Sequence, residues 1–544
     1  MTVGMSTDPA LARTGATASP ARSSPAGDTT GAVTADQSPR TARGKTLALF
    51  LLTALVLLVG SRSTGVFDRD EARFALAVRE MSERGDWILP TNWGELRTHK
   101  PILAYWCALL SQRVLGANPL AWRLPSALAG LVALGATMAL ARRHFGAEVA
   151  LRAGALLASA LVFVVEARIL TADALLLATT TLAYWAWFEL ARGSHGRRGW
   201  QLLFWTAVAF GVLAKGVNVL FLLAGAAAAS YVRSTREPDT AHLRRAVLVA
   251  LAAAAVFAAI PPLGVLGPVL VGLVAILLLA RRSPARRVAL GSAWGVPLSA
   301  ALVAVWFVPA LVRSHGAFLT QGVGHHMLAR GASAFEGHAG FPGYYLVASL
   351  LAFFPWALRL PAAMRAAWRD PSCEFLLAWI LGPWALLEGM ASKLPHYLLP
   401  LLPAVAIVVA VHGSKRALAR PLVLAWALYL ALGTVALPLY QRERLAPRVA
   451  AEVARRIEPD EAIYLLGYAP ASLGCELPAG HAVVRDPDSV ARALARDGAG
   501  LYVVAADRVE ELLGHTDSGW DALAQVRGLD GLRAREVAVW RHGR

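Results

Sequence analysis

An all-α polytopic membrane protein with a small α/β domain at its C-terminal end is the fold class that the sequence predicts. Three observations predict it. Hydrophobic residues make up 56% of the 544 residues and charged residues only 16%, too few charges to cover the three or four soluble domains such a length would otherwise suggest. Apolar runs recur along most of the chain, separated by short arginine-rich connections. Beyond residue 441 that pattern gives way to short β-like runs.

Residues 1–44 are rich in Ser, Thr, Ala, Gly, Pro and Asp and lack apolar periodicity, so a disordered cytoplasmic tail is expected there. The apolar run 46–60 has no evident small-residue cleavage site and reads as a retained first span rather than a signal peptide. Further spans are expected near 120–141, 147–165, 172–190, 200–214, 217–231, 246–260, 264–280, 288–312, 344–360, 375–390, 397–411 and 421–440. That makes about thirteen transmembrane helices, several of them shorter than the ~20 residues that cross a bilayer untilted. The membrane unit is thus 45–440.

The formal net charge is +17, which in a soluble chain would point to nucleic acid. Here the cations occupy every second connection: Arg142, Arg143 and Arg152; Arg197 and Arg198; Arg244 and Arg245; 281–287; Arg365 and Arg369; 415–420. That spacing sets membrane orientation and attracts anionic lipid heads. It excludes a nucleic-acid partner and makes these connections cytoplasmic. An odd number of spans then places the N-terminus inside and the C-terminus outside a bacterial-type inner or plasma membrane, with outer loops at 61–123 and 313–342. Residues 441–544 form the extracytoplasmic α/β domain, with strand-like runs at 462–468, 482–484, 501–505 and 536–540 and a helix-like stretch at 488–495. Cys107, Cys373 and Cys475 fall at different depths or sides, so neither a disulfide framework nor a zinc knuckle is expected.

Ionisable groups at the ends of apolar runs are costly unless they have a partner or a task. Asp70, Glu71 and Arg73 open a helix-like pattern just outside the first span; they either cap that helix or, with Asp70 and Arg73 on one face, serve chemistry. His99 and Lys100 precede Pro101 and an amphipathic segment with Tyr105 and Trp106, as an interfacial anchor or a phosphate contact. Asp173 opens an outer helix end, and Lys215 lies almost buried in apolar sequence; capping and snorkelling compete there with a functional role. His325, His326, Arg330, Glu336 and His338 share an outer loop without a fixed metal spacing. Lys393 and His396 sit between two outer helix ends, and Tyr345 follows Pro342, Gly343 and Tyr344.

Taken in order, Asp70-Glu71-Ala72-Arg73-Phe74-Ala75, Gly85-Asp86-Trp87, His99-Lys100-Pro101 with Tyr105-Trp106, Asp173, Lys215-Gly216, Gly337-His338 through Tyr345, Phe354-Pro355-Trp356 and Lys393-Leu394-Pro395-His396-Tyr397 resemble one family. It is the protein mannosyltransferase and aminoarabinose (lipid A) transferase-like group of integral-membrane C-type (GT-C) glycosyltransferases. The resemblance runs from about Phe67 to Pro403. It implies an enzyme that moves a hexose or pentose from a polyprenyl-phosphate donor to an acceptor glycan, lipid or protein, on a hydroxyl or phosphate, at the outer face. It further implies Asp70, Arg73 and Asp173 as catalytic residues, Lys100, Arg330 and Lys215 as contacts to the donor phosphate, and Glu71, Tyr345, Lys393 and His396 as neighbours in the same cavity. In the aminoarabinose branch the residue before the matching lysine is a glutamate that helps bind a metal. Here it is His99, and Ile102 replaces a second proline, so a divalent metal, zinc or similar, would fall to His99 with His325 and His326. A transporter or flippase of a lipid-linked sugar is the alternative; it predicts inverted repeats, and none is evident in the sequence. A receptor would leave Asp70, Lys100 and Asp173 without a shared purpose.

Overall fold

Within hydrocarbon every backbone N–H and C=O needs an internal partner, so the apolar runs fold as helices. The structure, a computed structural model, describes residues 39–67, 70–234, 290–322, 340–341, 343–390, 392–413, 419–494, 499–510 and 519–542. The expected spans at 246–260 and 264–280 and nearly all of the N-terminal tail lie outside those residues. In chain order the helices of the membrane unit are α1 (Pro39–Leu58), α2 (Asp70–Arg84), α3 (Leu103–Leu115), α4 (Pro119–Phe145), α5 (Ala147–Ala158), α6 (Leu161–Glu166), α7 (Asp173–Ala191), α8 (Arg197–Lys215) and α9 (Asn218–Ser234). They continue with α10 (Ser292–Arg313), α11 (Tyr344–Ala352), α12 (Leu360–Trp368), α13 (Glu374–Glu388), a tight helix Pro395–Leu401 running into α14 (Leu402–His412), α15 (Ala419–Ala431) and α16 (Leu437–Glu443). Among the described residues five helical stretches are long and apolar enough to cross a membrane: Pro119–Phe145, Asp173–Ala191, Ser292–Arg313, Pro395–His412 and Ala419–Glu443.

Two expected spans are broken. The run 147–165 divides into α5 and α6 at Ser159 and Ala160, where the Leu161 N–H donates to the Phe354 carbonyl (3.0 Å) and Trp356 Nε1 donates to Ser159 Oγ (2.9 Å). The run 344–360 ends as α11 at Ala352 and resumes as α12. The Leu161–Phe354 bond joins the two breaks, while the N–H groups of Phe353, Phe354 and Trp356 bond to carbonyls of their own segment, so the backbone stays satisfied as a membrane interior requires.

The core of the helical unit is knit by aromatic side chains that also spend their polar atoms. Tyr184 of α7 stacks on Trp379 of α13 at 4.3 Å and donates to the Leu222 carbonyl of α9 (2.7 Å), while Trp379 Nε1 donates to the Pro400 carbonyl (2.9 Å). Helices α9 and α13 touch backbone to backbone at Gly225 and Gly382: a Cβ on Gly225 would lie 2.8 Å from the Gly382 carbonyl carbon. Small residues let membrane helices approach this closely.

Loop 61–123 is more ordered than a loop. It holds α2, a two-residue hairpin of β1 (Thr91–Asn92) and β2 (Glu95–Leu96), and α3. Phe74, Ala75, Val78 and Met81 of α2 pack with Ile102, Tyr105 and Ala108 beside Trp306 and Ala310 of α10. The Glu80 carboxylate accepts from the N–H groups of Trp93 (2.5 Å) and Gly94 (3.2 Å), fixing the turn where both residues take positive φ.

The C-terminal segment holds α17 (Leu445–Arg456), β3 (Ala462–Leu466), α18 (Ala471–Glu476), β4 (Val483–Val484), α19 (Pro487–Leu494), β5 (Gly500–Ala505), β6 (Trp520–Asp530) and β7 (Arg533–His542). The sheet order is β4-β3-β5-β7-β6, parallel across β4, β3 and β5 and antiparallel across β5, β7 and β6, with Ile463 opposite Leu501 and Tyr502 opposite Trp540. Strand β6 alternates weakly and exposes Asp521 and Ala522, so no strand pattern announces it. The segment docks on α2: Arg79 donates to the carbonyls of Gly474 (2.9 Å) and Leu477 (2.7 Å), and a Cβ on Gly474 would strike Leu76 and Trp93.

Candidate active site

Four chain segments end at one place. Helix α7 begins at Asp173, and α8 stops at Lys215 because Gly216 follows at φ 65°, a conformation glycine adopts at little cost. The segment before α3 delivers His99 and Lys100, and the proline-started tight helix Pro395–Leu401 delivers His396 and Tyr397. A pocket opens between them, lined by His99, Lys100, Asp173, Lys215, Asn218 and Tyr397 on its polar side and by Leu176, Phe221, Leu222, Leu387, Met390 and Pro400 on its apolar side.

Inside it, Lys215 Nζ pairs with Asp173 Oδ1 and lies 4.9 Å from the centre of the Tyr397 ring. Both side chains are buried, 7% and 12% exposed. Each ion taken from water costs several kcal/mol, so the pair persists by facing one another across good geometry. His396 bridges two acids, with Nε2 4.0 Å from Asp173 Oδ1 and Nδ1 3.8 Å from Glu166 Oε1. Glu166 in turn accepts from Thr171 Oγ1 (3.0 Å).

Asp70 is not among the residues that line the pocket; it stands at the N-terminus of α2, with Arg73 Nη1 3.7 Å away and 61% of its side chain exposed. Partial burial pushes its carboxyl up, but Lys100, Arg97 and Arg73 together outweigh that and hold it below the usual carboxylate value; Asp173 pushes weakly the other way. Asp70 therefore feels the charge of two residues that line the pocket, Lys100 and Asp173. Arg97 was not legible as a site residue, because it lies among loop charges. It is buried, donates from Nε to Tyr105 Oη (2.8 Å) and lies over the Phe74 ring. Glu166 was equally hidden, one residue past an apolar run.

The remaining expected residues divide. Glu71 is turned away from the pocket: both its oxygens accept from Arg123 (2.7 and 2.8 Å), and it also accepts from the N–H groups of Phe67 (2.7 Å) and Leu170 (3.0 Å). Arg123 spends its other donors on the carbonyls of Ser61, Thr64 and Gly65. The pair fastens α2 to α4 and to the end of α1's loop. Lys393 lies 3.7 Å from Glu388 Oε1 and donates to the Gly340 carbonyl (3.4 Å), outside the pocket wall. Tyr345 is fully buried and its N–H donates to Glu388 (3.2 Å), as does that of Gly343 (2.7 Å). Arg330, His325 and His326 lie outside the described residues, so the metal expected at His99 has one described donor there. Among the described residues the group with metal-ligand spacing is instead Asp370, Cys373 and His412.

Charged groups are thus gathered where several helices end, in a helical unit followed by a small α/β segment. Residues 99–263 match the family described as dolichyl-phosphate-mannose-protein mannosyltransferase. The chain is similar to the undecaprenyl phosphate-alpha-4-amino-4-deoxy-L-arabinose arabinosyl transferases of Serratia proteamaculans, 25% identical over 68% of this chain and 58% of that one, and of Pseudomonas paraeruginosa, 27% identical over 67% and 59%. The match thus spans less than three-fifths of these relatives' length. Its fold is similar to that of ArnT from Cupriavidus metallidurans, crystallised with undecaprenyl phosphate, at a TM-score of 0.67 and 20% identity over 91% of this chain and 98% of that one. An oligosaccharyltransferase from Archaeoglobus fulgidus shares the fold more distantly, with a TM-score of 0.51 and 13% identity over 87% and 70%.

Proposed function

We propose that the chain is a polyprenyl-phosphate-sugar-dependent glycosyltransferase, transferring a sugar to an acceptor hydroxyl or phosphate at the outer face of the membrane. The pocket carries this reading. A phosphate ester on a long lipid needs cations beside the membrane rim and an apolar wall behind them. Lys100 and Lys215 offer the first; Leu176, Phe221, Leu222 and Met390 offer the second. The names of the curated relatives make an undecaprenyl-phosphate pentose the first donor to try.

In this reading Asp70 accepts the proton of an acceptor hydroxyl, whose oxygen attacks the anomeric carbon. The bond from that carbon to the phosphate oxygen breaks, and its electron pair leaves with the polyprenyl phosphate. Lys100, with Arg330, meets the added negative charge. Arg73 orients the Asp70 carboxylate, and Asp173 holds Lys215 toward the pocket. A single displacement inverts the anomeric centre. A phosphate acceptor arrives already ionised, and Asp70 then holds the sugar instead of taking a proton. A divalent ion at His99 would have the cations Lys100 and Lys215 as neighbours in the same pocket, and His325 and His326 would be its further ligands.

We read residues 45–440 as thirteen crossings with the N-terminus cytoplasmic and residues 441–544 as an outer domain. The arginine-rich connections support that orientation. Incubation of the purified protein with a panel of undecaprenyl-phosphate sugars and candidate acceptors, reading release of undecaprenyl phosphate, tests the activity. Release that depends on an acceptor supports it; transbilayer movement of an intact donor in vesicles, without release, would establish a flippase instead.

A further inference from the structure

We propose that Asp370, Cys373 and His412 form a binding site for a divalent metal ion of the zinc class, at the opposite end of α14 from the pocket. Three atoms define it. Cys373 Sγ lies 3.6 Å from His412 Nε2 and 3.7 Å from Asp370 Oδ2, and the nitrogen and oxygen are 3.5 Å apart. A tetrahedral zinc ion, with bonds of about 2.3 Å to sulfur and about 2.0 to 2.2 Å to nitrogen and oxygen, requires edges of about 3.3 to 3.7 Å between such ligands. The triangle already has that size.

The fold prepares the three groups. Asp370 Oδ1 is occupied by the Ser372 N–H (2.9 Å), which turns Oδ2 toward the cysteine. Cys373 is fully buried at the turn between α12 and α13, and His412 is the last residue of α14. The His412 and Asp370 side chains are 17% and 29% exposed, so the fourth position of a tetrahedron opens toward solvent for entry of the ion and for a water ligand. An imidazole, a carboxylate and a thiolate together select zinc-like ions over magnesium or calcium. Binding releases the thiol proton and ties the ends of α12, α13 and α14 together. From His396 to His412 the tight helix and α14 advance by about 26 Å, so this site is separate from the one that holds the reacting groups.

The test uses the full-length protein, purified in detergent with any affinity tag removed, stripped with a chelator and titrated with Co²⁺. One cobalt ion per chain is expected, with a near-ultraviolet thiolate-to-cobalt charge-transfer band that Zn²⁺ abolishes by displacement. Cys373→Ser should remove the band, and His412→Gln should weaken binding at least about tenfold. The Cys107→Ser/Cys475→Ser double variant, in which Cys373 is the one remaining thiol, should keep the band. A wild-type protein without the band, a band that survives Cys373→Ser, or its loss from the double variant would each overturn the proposal.

Discussion

Arg97 shows how the site is tuned one side chain at a time. With Lys100 and Arg73 it keeps Asp70 ionised below the ordinary carboxylate value. A depressed pKa means the carboxylate is available at neutral pH and is lost only as pH falls through that lowered value, so a transfer rate that needs ionised Asp70 should keep its acid limb below the usual carboxylate range. Arg97→Gln removes one of the cations, and the limb should move to higher pH; a pH-rate profile with an unmoved limb contradicts the coupling. Inside the pocket, Lys215→Met strands the Asp173 carboxylate and should cost about 3 to 5 kcal/mol of stability, read as earlier thermal unfolding in detergent. The double variant Lys215→Met/Asp173→Leu should regain most of that stability without regaining transfer. If it regains both, the pair is structural alone.

At the scale of elements, close contact between helices sets what the sequence tolerates. Gly225→Val drives a side chain into the backbone of α13 and should destabilise the protein by about 1 to 3 kcal/mol, while Gly199→Ala, on α8 with nothing near its Cβ position, should leave the unfolding temperature nearly unchanged. Equal effects of the two would contradict the contact. Hydrophobicity made the helices themselves legible, since a run of apolar residues needs little else. It did not reveal the breaks at Ser159 and after Ala352, which are joined to each other by the Leu161–Phe354 backbone bond and the Trp356–Ser159 side-chain bond. The same limit explains Glu71. An acid opening a helix reads alike whether it faces a pocket or a buried arginine, and only the approach of Arg123, 52 residues away, decides. Lys100, Asp173, Lys215 and His396 were legible because charges at apolar ends are expensive; Arg97 and Glu166 carried no such contrast with their surroundings. Strand β6 was missed because its register comes from β7, not from its own alternation.

At the scale of the whole molecule, the architecture gathers charge where helices end and rests an α/β unit on α2, which begins at Asp70. The proposed orientation predicts that a phosphatase active only outside the cytoplasm works when fused after Arg544 and not when inserted at 414–418; the reverse pattern would turn the pocket inward and remove access to an outer acceptor. Asp70, Lys100, Asp173 and Lys215 are proposed to serve one reacting centre around a lipid phosphate. That shared role is tested most directly by measuring undecaprenyl phosphate release from an undecaprenyl-phosphate pentose by wild-type protein and by Asp70→Asn, with donor binding followed in parallel. Acceptor-dependent release that falls about 100-fold or more in Asp70→Asn, with donor binding kept, is the predicted result; release at the wild-type rate by Asp70→Asn would contradict it.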